Sequence, residues 1–450
     1  MNWMTRAVVA VSFVLCPLRA WAQPPIAPEV APPPPEPTPT PAGAPVPPPP
    51  PPPLPPPPAD WTFALHGIVG ASFYVQDTPL FVLNGQGPLL LLGPAPKDQG
   101  FVTGADIRQS RFNFSVAGPR VFGGAIPKAV LEIDLFGLNS PGGFGEVSAY
   151  QRVRLAYAEL KWENDVIRFG QDHQLIIALI PEGMGHMAFP ATYTAGLLGW
   201  REPGIGYFHT VPIADSETHA KAEFALQVMK SDWANPSDFG TDTKTDLNVD
   251  LGQLSGFPGV EARAKFSNDH FMAFVAGHWN HVQGTHAGDL ADAPTAIPTR
   301  NWDVLAATVG VKFTAGKFSL LANGYMGQNT APMLGEQLVF TTTNDVFEVG
   351  GWAQALYAIT PHLNVSVLGG TGQPKASDVQ AAAAAAFAAS GKATSLRASN
   401  SVVGGMIRYQ DGGFAVGPEF HHAFGTQMNQ TGATTDVTGN QFMLSGMYFF

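Results

Sequence analysis

The chain has 450 residues, of which 49 are Gly and 42 Pro, while charged residues make up only 13%, about half the share usual in a soluble domain. A formal charge of −11 without any Lys/Arg cluster excludes a nucleic-acid binder. A single Cys excludes a disulfide scaffold and a Cys-based zinc site, and no run of about 20 apolar residues marks a membrane helix.

Residues 1–22 read as a signal peptide. Arg6 gives the positive start, Ala7 to Leu18 the short apolar stretch, and Ala20-Trp21-Ala22 the small-x-small cleavage site. Cleavage there removes Arg6, Arg19 and the sole Cys16, leaving a mature charge of −11 − 2 = −13 and no thiol, which suits an oxidising compartment. Residues 23–59 form a spacer. Residues 24–58 hold 22 of the 42 prolines. Proline fixes φ and lacks a backbone donor, so this stretch is expected as a disordered or polyproline II tether reaching roughly 110 Å at ~3.1 Å per residue. A cell-wall or periplasmic partner is a sharper reading of the same segment.

From Trp61 onward, apolar residues fall on alternate positions. Leu131, Ile133 and Leu135 oppose Lys128, Glu132 and Asp134; Val153, Leu155 and Tyr157 oppose Arg152 and Arg154; Ile167 and Phe169 oppose Arg168. Phe224, Leu226 and Val228 oppose Lys221, Glu223 and Gln227, and Val260 to Phe266 alternates with Glu261, Arg263 and Lys265. Period two is the strand signature. Sixteen strands are expected: 61–75, 104–117, 126–136, 150–162, 164–170, 204–211, 218–230, 259–267, 270–281, 302–314, 317–327, 347–359, 362–371, 399–410, 413–424 and 439–450. Their connections alternate long (76–103, 137–149, 171–203, 231–258, 282–301, 328–346, 372–398 and 425–438) with short (Glu163, Ser267-Asn268-Asp269, Ala315-Gly316, Thr360-Pro361 and Asp411-Gly412). Residues 118–125 and 212–217 are somewhat longer turns.

This rhythm is that of an all-β, closed antiparallel up-and-down transmembrane β-barrel occupying residues 60–450, with outer-membrane lipid around it. Lipid cannot hydrogen-bond an open strand edge, so a spanning sheet has to close. Sixteen strands leave room for an aqueous lumen. At the C-terminus, Phe442, Leu444, Tyr448 and Phe450 share one face, which suits the membrane interface, and this ending resembles the C-terminal assembly signal of outer-membrane barrels.

The block from Arg108 to Gln174 resembles trimeric porins of the phosphate-selective O/P kind and the related dicarboxylate-type porins. The carrying pieces are Gln109-Ser110-Arg111-Phe112, Ala129 to Asp134, Arg152 to Leu160, and Phe169-Gly170-Gln171-Asp172, about 70 residues in order. The resemblance implies a homotrimer, passive diffusion of small hydrophilic and often anionic solutes, and a third long loop folded into the lumen. That loop, 171–203, carries Asp172, Glu182 and Glu202 with His173, His186 and Arg201. The inner wall nearby offers Arg111, Lys128, Arg152, Arg154 and Arg168, with Glu132 and Asp134 between them. Loop acids facing wall cations would set a transverse field, and five basic residues against two acids on the wall would favour anions. The competing expectation is that these cations pair with Glu132, Asp134 or Glu159 and only brace the wall.

Other clusters carry less. His278, His281 and His286 have a spacing open to a metal, but positions i and i+3 of a strand face opposite sides. Asp232, Asp238, Asp242, Asp246 and Asp250 lack the glycine and final Glu of a calcium loop. Ala381 to Ala389 reads as a helix, with Ser377 or Asp378 at its start and Gly391 at its end. No Gly-x-Ser-x-Gly or phosphate-binding glycine loop occurs, so no enzyme activity and no cofactor is expected. An envelope-tethering barrel is the alternative to a channel. A hydrolase using His278 or His421 is the least supported reading.

Overall fold

A computed structural model describes residues 61–78, 85–87, 89, 100–137, 149–213, 218–231, 251–283, 300–336 and 344–450. The leader, the proline-rich segment and the aspartates of 232–250 lie outside them, as does His286.

Seventeen strands form one antiparallel ring. They are β1 (Thr62–Gln76), β2 (Val102–Asp106), β3 (Arg111–Ala117), β4 (Ile126–Asp134), β5 (Arg152–Lys161), β6 (Asp165–His173), β7 (Arg201–Pro212), β8 (Lys221–Met229) and β9 (Gly259–Ser267). The rest are β10 (Phe271–Gln283), β11 (Asn301–Ala315), β12 (Phe318–Gln328), β13 (Phe347–Ala358), β14 (Leu363–Pro374), β15 (Ser395–Asp411), β16 (Phe414–Asn429) and β17 (Thr434–Phe449). β2 and β3 both pair with β1, at Ser72–Gln76 and Thr62–Ile68 respectively, so they are two halves of one stave broken at Ile107–Ser110. The barrel therefore has sixteen staves.

Closure is the pairing of β1 with β17, from Ile68↔Phe449 to Gln76↔Gln441. The last residue completes it: Gly67 N–H donates to the Phe450 carbonyl at 3.0 Å and Phe450 N–H to the Gly67 carbonyl at 3.1 Å. The register keeps faces matched. Ser72 and Ser445 meet inside at 2.6 Å, while Phe73 lies opposite Leu444 outside.

The alternation read from sequence is the alternation of burial. In β11, Leu305, Val309, Val311 and Phe313 are exposed, and Trp302, Val304, Ala306 and Thr308 are buried. Phe224, Leu226 and Val228 on β8, Val367 on β14 and Leu444 and Tyr448 on β17 continue the exposed apolar belt. Water would not tolerate so continuous an apolar surface; it is the exterior of a membrane-spanning barrel. Tight turns at one end use residues suited to them, with Gly316 and Gly412 at φ of 56° and 53° in the hairpin links β11–β12 and β15–β16.

Two sequence expectations change. The last long connection, 425–438, is a turn at 430–433, because β16 and β17 stay paired out to Met428↔Thr434. Thr426, Gln427, Thr435 and Asp436 are polar, so nothing in their hydropathy marks strand; pairing with an already aligned neighbour extends it. The alanine-rich helix spans Ala376–Ser390, with Gly391 in the left-handed conformation donating to the Phe387 carbonyl at 2.7 Å. Its start has no side-chain cap. Val379 packs with Val346 and Met428, seating the helix on the long-loop rim.

Val309→Lys places a charge on the lipid face near the middle of β11 and should cost about 2–4 kcal/mol in equilibrium refolding into lipid vesicles. An unchanged stability would show that this face does not meet hydrocarbon.

Candidate lumen site

The third long connection, 174–200 between β6 and β7, lies inside the barrel. Ile176, Ile177, Leu179, Phe189, Tyr193, Leu197 and Leu198 are buried and pack with lumen-facing Trp302, Val304, Leu321, Trp352 and Val402. The core of the molecule thus sits within the ring, and the loop supplies more than a third of it.

Polar latches hold the loop to the wall at many staves. The Thr308 hydroxyl donates to the Ile176 carbonyl at 3.1 Å. Gln354 on β13 grips Glu182 twice, accepting from its N–H and donating to its carbonyl, each at 2.7 Å. Glu419 on β16 accepts the N–H groups of Met184 (3.1 Å) and Gly185. Gln441 on β17 meets His186 at 2.7 Å, and Asn400 on β15 donates to the Thr194 carbonyl at 2.9 Å. On the other side, Met187 N–H donates to the Gln109 carboxamide oxygen at 3.1 Å, and Arg111 reaches the Met187 carbonyl at 3.5 Å. Counting β2 and β3 as one stave, Arg111 stands on the second stave and Thr308 on the tenth, eight apart in a ring of sixteen. The loop therefore crosses the lumen from wall to wall.

Beside it, β3 to β7 carry the charged residues. Arg152 donates to Asp134 at 3.0 and 2.6 Å; Arg154 donates to Glu132 at 2.7 Å and to Asp134 at 3.0 Å. Arg111 lies 3.6 Å from Glu132. Arg168 bonds Glu159 at 3.0 and 2.5 Å and pairs with Asp172. Lys128, half-buried near the tight-turn end, has no ion-pair partner among the described residues.

A β-bulge decides this geometry. The pairing runs Glu132↔Leu155 and then Ile133↔Val153, leaving Arg154 as an extra residue. The side-chain parity of β5 flips there. Arg152 and Arg154 both turn inward, and so do Leu155, Tyr157 and Glu159, which corrects the expectation that Leu155 and Tyr157 share the outer face with Val153. The Arg168 guanidinium consequently lies over the Tyr157 ring at 4.2 Å and the Phe208 ring at 5.1 Å. Gly170 opposite Tyr157 has φ of 125°, and a Cβ there would stand 2.7 Å from Tyr157 Cα. A side chain at 170 would push the two strands apart.

The expected opposition of loop acids and wall cations is not what forms. Asp172 ends β6, Glu202 sits in β7, and both belong to the wall. Glu182, within the loop, reaches Arg408 on β15 at 3.4 Å, on the other side from Arg152. The arginines of β3, β5 and β6 are braced by wall acids. The group around the loop nevertheless keeps an excess: Arg111, Arg152, Arg154 and Arg201 surround Glu132 and Asp134. Arg201 was visible in the sequence only as a loop-end residue; the structure sets it against Trp200, its guanidinium 4.1 Å from the ring. Phe136, Phe189 and Trp200 flank Arg152 at 5.4, 4.8 and 5.5 Å.

The histidines separate. His278 turns inward to Glu261 at 2.8 Å, while His281 pairs with Asp303 at 2.9 Å on the other face. Among the described residues no group of three His, Cys, Asp or Glu side chains could hold a metal.

No family model matches the chain, and no curated protein matches its sequence. Solved structures do match its shape. The outer-membrane channel DcaP of Acinetobacter baumannii superposes with a TM-score of 0.64 at 13% identity, over 87% of this chain and 98% of that one. The fold is that of outer-membrane porins. An anion-selective porin from Comamonas acidovorans gives 0.52 at 13% identity, covering 87% and 100%, and Salmonella typhi OmpF gives 0.51 at 14%, covering 86% and 97%. This porin fold accounts for the long-loop and tight-turn ends and for a lumen crossed by a loop.

Glu336, in the loop after β12, is fully buried with Arg397 3.5 Å away and Glu348 accepting its backbone N–H at 3.1 Å. Burial pushes its carboxyl well above the usual carboxylate range, Arg397 opposes that, and Glu348 adds to it. The unfolded chain releases this proton near pH ~4.3 while the folded barrel holds it. Stability should therefore fall as pH rises above that value toward the folded pKa. Glu336→Gln should flatten this slope in refolding measurements between pH 4 and 9; an identical slope would place the loss elsewhere.

Proposed function

We propose that the mature chain is a passive outer-membrane channel for small hydrophilic solutes, working without a covalent step or cofactor and assembling as a homotrimer. The observation that carries this is the loop 174–200 strung across a closed, apolar-coated barrel beside a charged inner wall. Such an object has no use for its exterior except in lipid and narrows its own interior at one level. Charged groups at a constriction sort solutes without a dedicated pocket.

The finer reading is a preference for anions of the small polar class. It is supported by four arginines around two carboxylates beside the loop, and by the likeness to a porin described as anion-selective. Reconstituted in a planar bilayer, the mature protein should give stepwise ohmic conductance; persistent silence from folded protein defeats the channel reading. Replacing Arg152 and Arg154 with Ala should move the reversal potential in a salt gradient toward cations. An unmoved value would show that neither stands at the narrowest part.

Residues 1–22 and 23–59 enter this proposal as a removable leader and a periplasmic spacer. Deleting 24–58 should leave conductance unaltered. A change in envelope integrity with intact solute flux would favour the tethering reading, with a cell-wall partner for the prolines.

A further inference from the structure

The loop tip, Gly183-Met184-Gly185-His186-Met187, meets the wall of β16 and β17 at a place with no part in the arginine cluster. His186 is 2% exposed and His421, on β16, 3%; their rings stand edge to face with centroids 5.0 Å apart. Nδ1 of each is buried without a hydrogen-bond partner. The tautomer of His186 follows from its neighbours. Gln441 gives its amide N–H groups to the Gly85 carbonyl at 2.8 Å and to Gln76 Oε1 at 3.3 Å, so its oxygen is left to accept from His186 Nε2. The neutral ring therefore keeps its lone pair on Nδ1.

Met443, on β17, lies beside them and is fully buried. A Cβ built at Gly185 would run into Met443 Sδ and stand 2.8 Å from Glu419 Oε2. Glycine next to His186 is thus what lets a thioether and a carboxylate approach the loop backbone so closely. Met184, Met406 and Met447 pack together at the same loop tip, with Met187 against them. Of the 12 Met, two of which (Met1 and Met4) fall in the leader, five gather here. Glu419 accepts the N–H groups of Met184 and Gly185 and has no ion-pair partner among the described residues; Arg408 pairs with Glu182 instead.

Methionine alone would be a filler of irregular space. Two imidazole nitrogens left unmet and a carboxylate left without counter-charge, in the same dry volume, are costly and ask for a partner. One cation that takes both imidazole and thioether ligands meets all three needs. Hard ions take oxygen, and zinc takes thiolate, imidazole and carboxylate, whereas thioether sulfur selects copper(I). His186, His421 and Glu419 do not by themselves make a metal-holding trio, so the sulfur is the deciding ligand.

We propose that His186, His421 and Met443 form a site for a soft monovalent cation of the copper(I) class. The ion ties the loop tip to β16 and β17, and Glu419 balances its single charge. Cys16 leaves with the leader, so the mature chain offers no thiol to compete.

Silver(I), a redox-inert ion of this class, is the probe, added as nitrate in chloride-free buffer to the mature protein refolded in detergent. One silver ion per chain should stay bound through desalting, read by elemental analysis. Met443→Leu, which conserves volume, and His421→Leu should each weaken binding about tenfold or more. Met326→Leu, on the lipid face, should leave it unchanged. In spectra of methyl-labelled methionine, silver should move the Met443 resonance, assigned by its loss in Met443→Leu. Silver that washes out of the folded barrel, or undiminished binding in Met443→Leu, overturns the site. Retention with an unmoved Met443 resonance places the ion on exposed side chains and overturns it as well. Zinc(II) held as tightly as silver overturns the soft-ion assignment. Should His421→Leu fail to fold, the two Met443 measurements decide. Conductance enters none of these readouts, so the site stands or falls apart from the channel reading.

Discussion

Hydrocarbon offers no hydrogen bond to a backbone amide, and the rest of this molecule follows from that one refusal. A strand edge left open in lipid would cost several kcal/mol for each unmet group. The ring answers by pairing β1 with β17 and by using the terminal residue itself, Phe450, to finish the ladder at Gly67. Once closed, the two faces of every strand meet different solvents. Val309 and Val367 are then at home on the outside, and Glu132, Asp134, Arg152 and Arg154 have nowhere to go but in.

A barrel of sixteen staves has more interior than its own side chains fill. This chain fills part of it with its third long connection. The loop behaves less like a mobile cover than like a core element. Its apolar side chains pack on the wall from β10 to β16, and its backbone amides are met by Gln354, Glu419 and Gln109. A backbone run through a lumen must have such partners, since buried N–H and C=O groups are rarely left unmet.

Charge in the lumen is organised by pairing first and by excess second. The bulge at Arg154 brings two successive arginines inward against two successive inward acids on β4, so most of the cation count is neutralised locally. What survives is a small positive surplus next to the loop, with Arg201 stacked on Trp200 at its edge. A wall that kept all its cations unpaired would hold anions too tightly to release them. A partly compensated one attracts and lets go, as conduction requires.

Period-two alternation, the rhythm of long and short connections and an aromatic final strand were enough to define an even-stranded closed barrel, because each is a direct consequence of lipid on one face and water on the other. The same alternation assigned most inward and outward residues on β8, β9 and β17. It failed at Leu155 and Tyr157, where a one-residue insertion relative to the neighbouring strand reversed the parity; a bulge is a property of two strands and leaves no mark in one. It failed again at 425–438, where polar residues join the sheet because β16 and β17 hold each other in register beyond the hydrophobic belt. Which acids brace which arginines, the placement of Glu182 opposite Arg408 and the lone position of Arg201 were decided only when the loop crossed the ring. Those contacts join residues as far as 255 positions apart, such as His186 and Gln441, whose meeting depends on closure of the whole sheet.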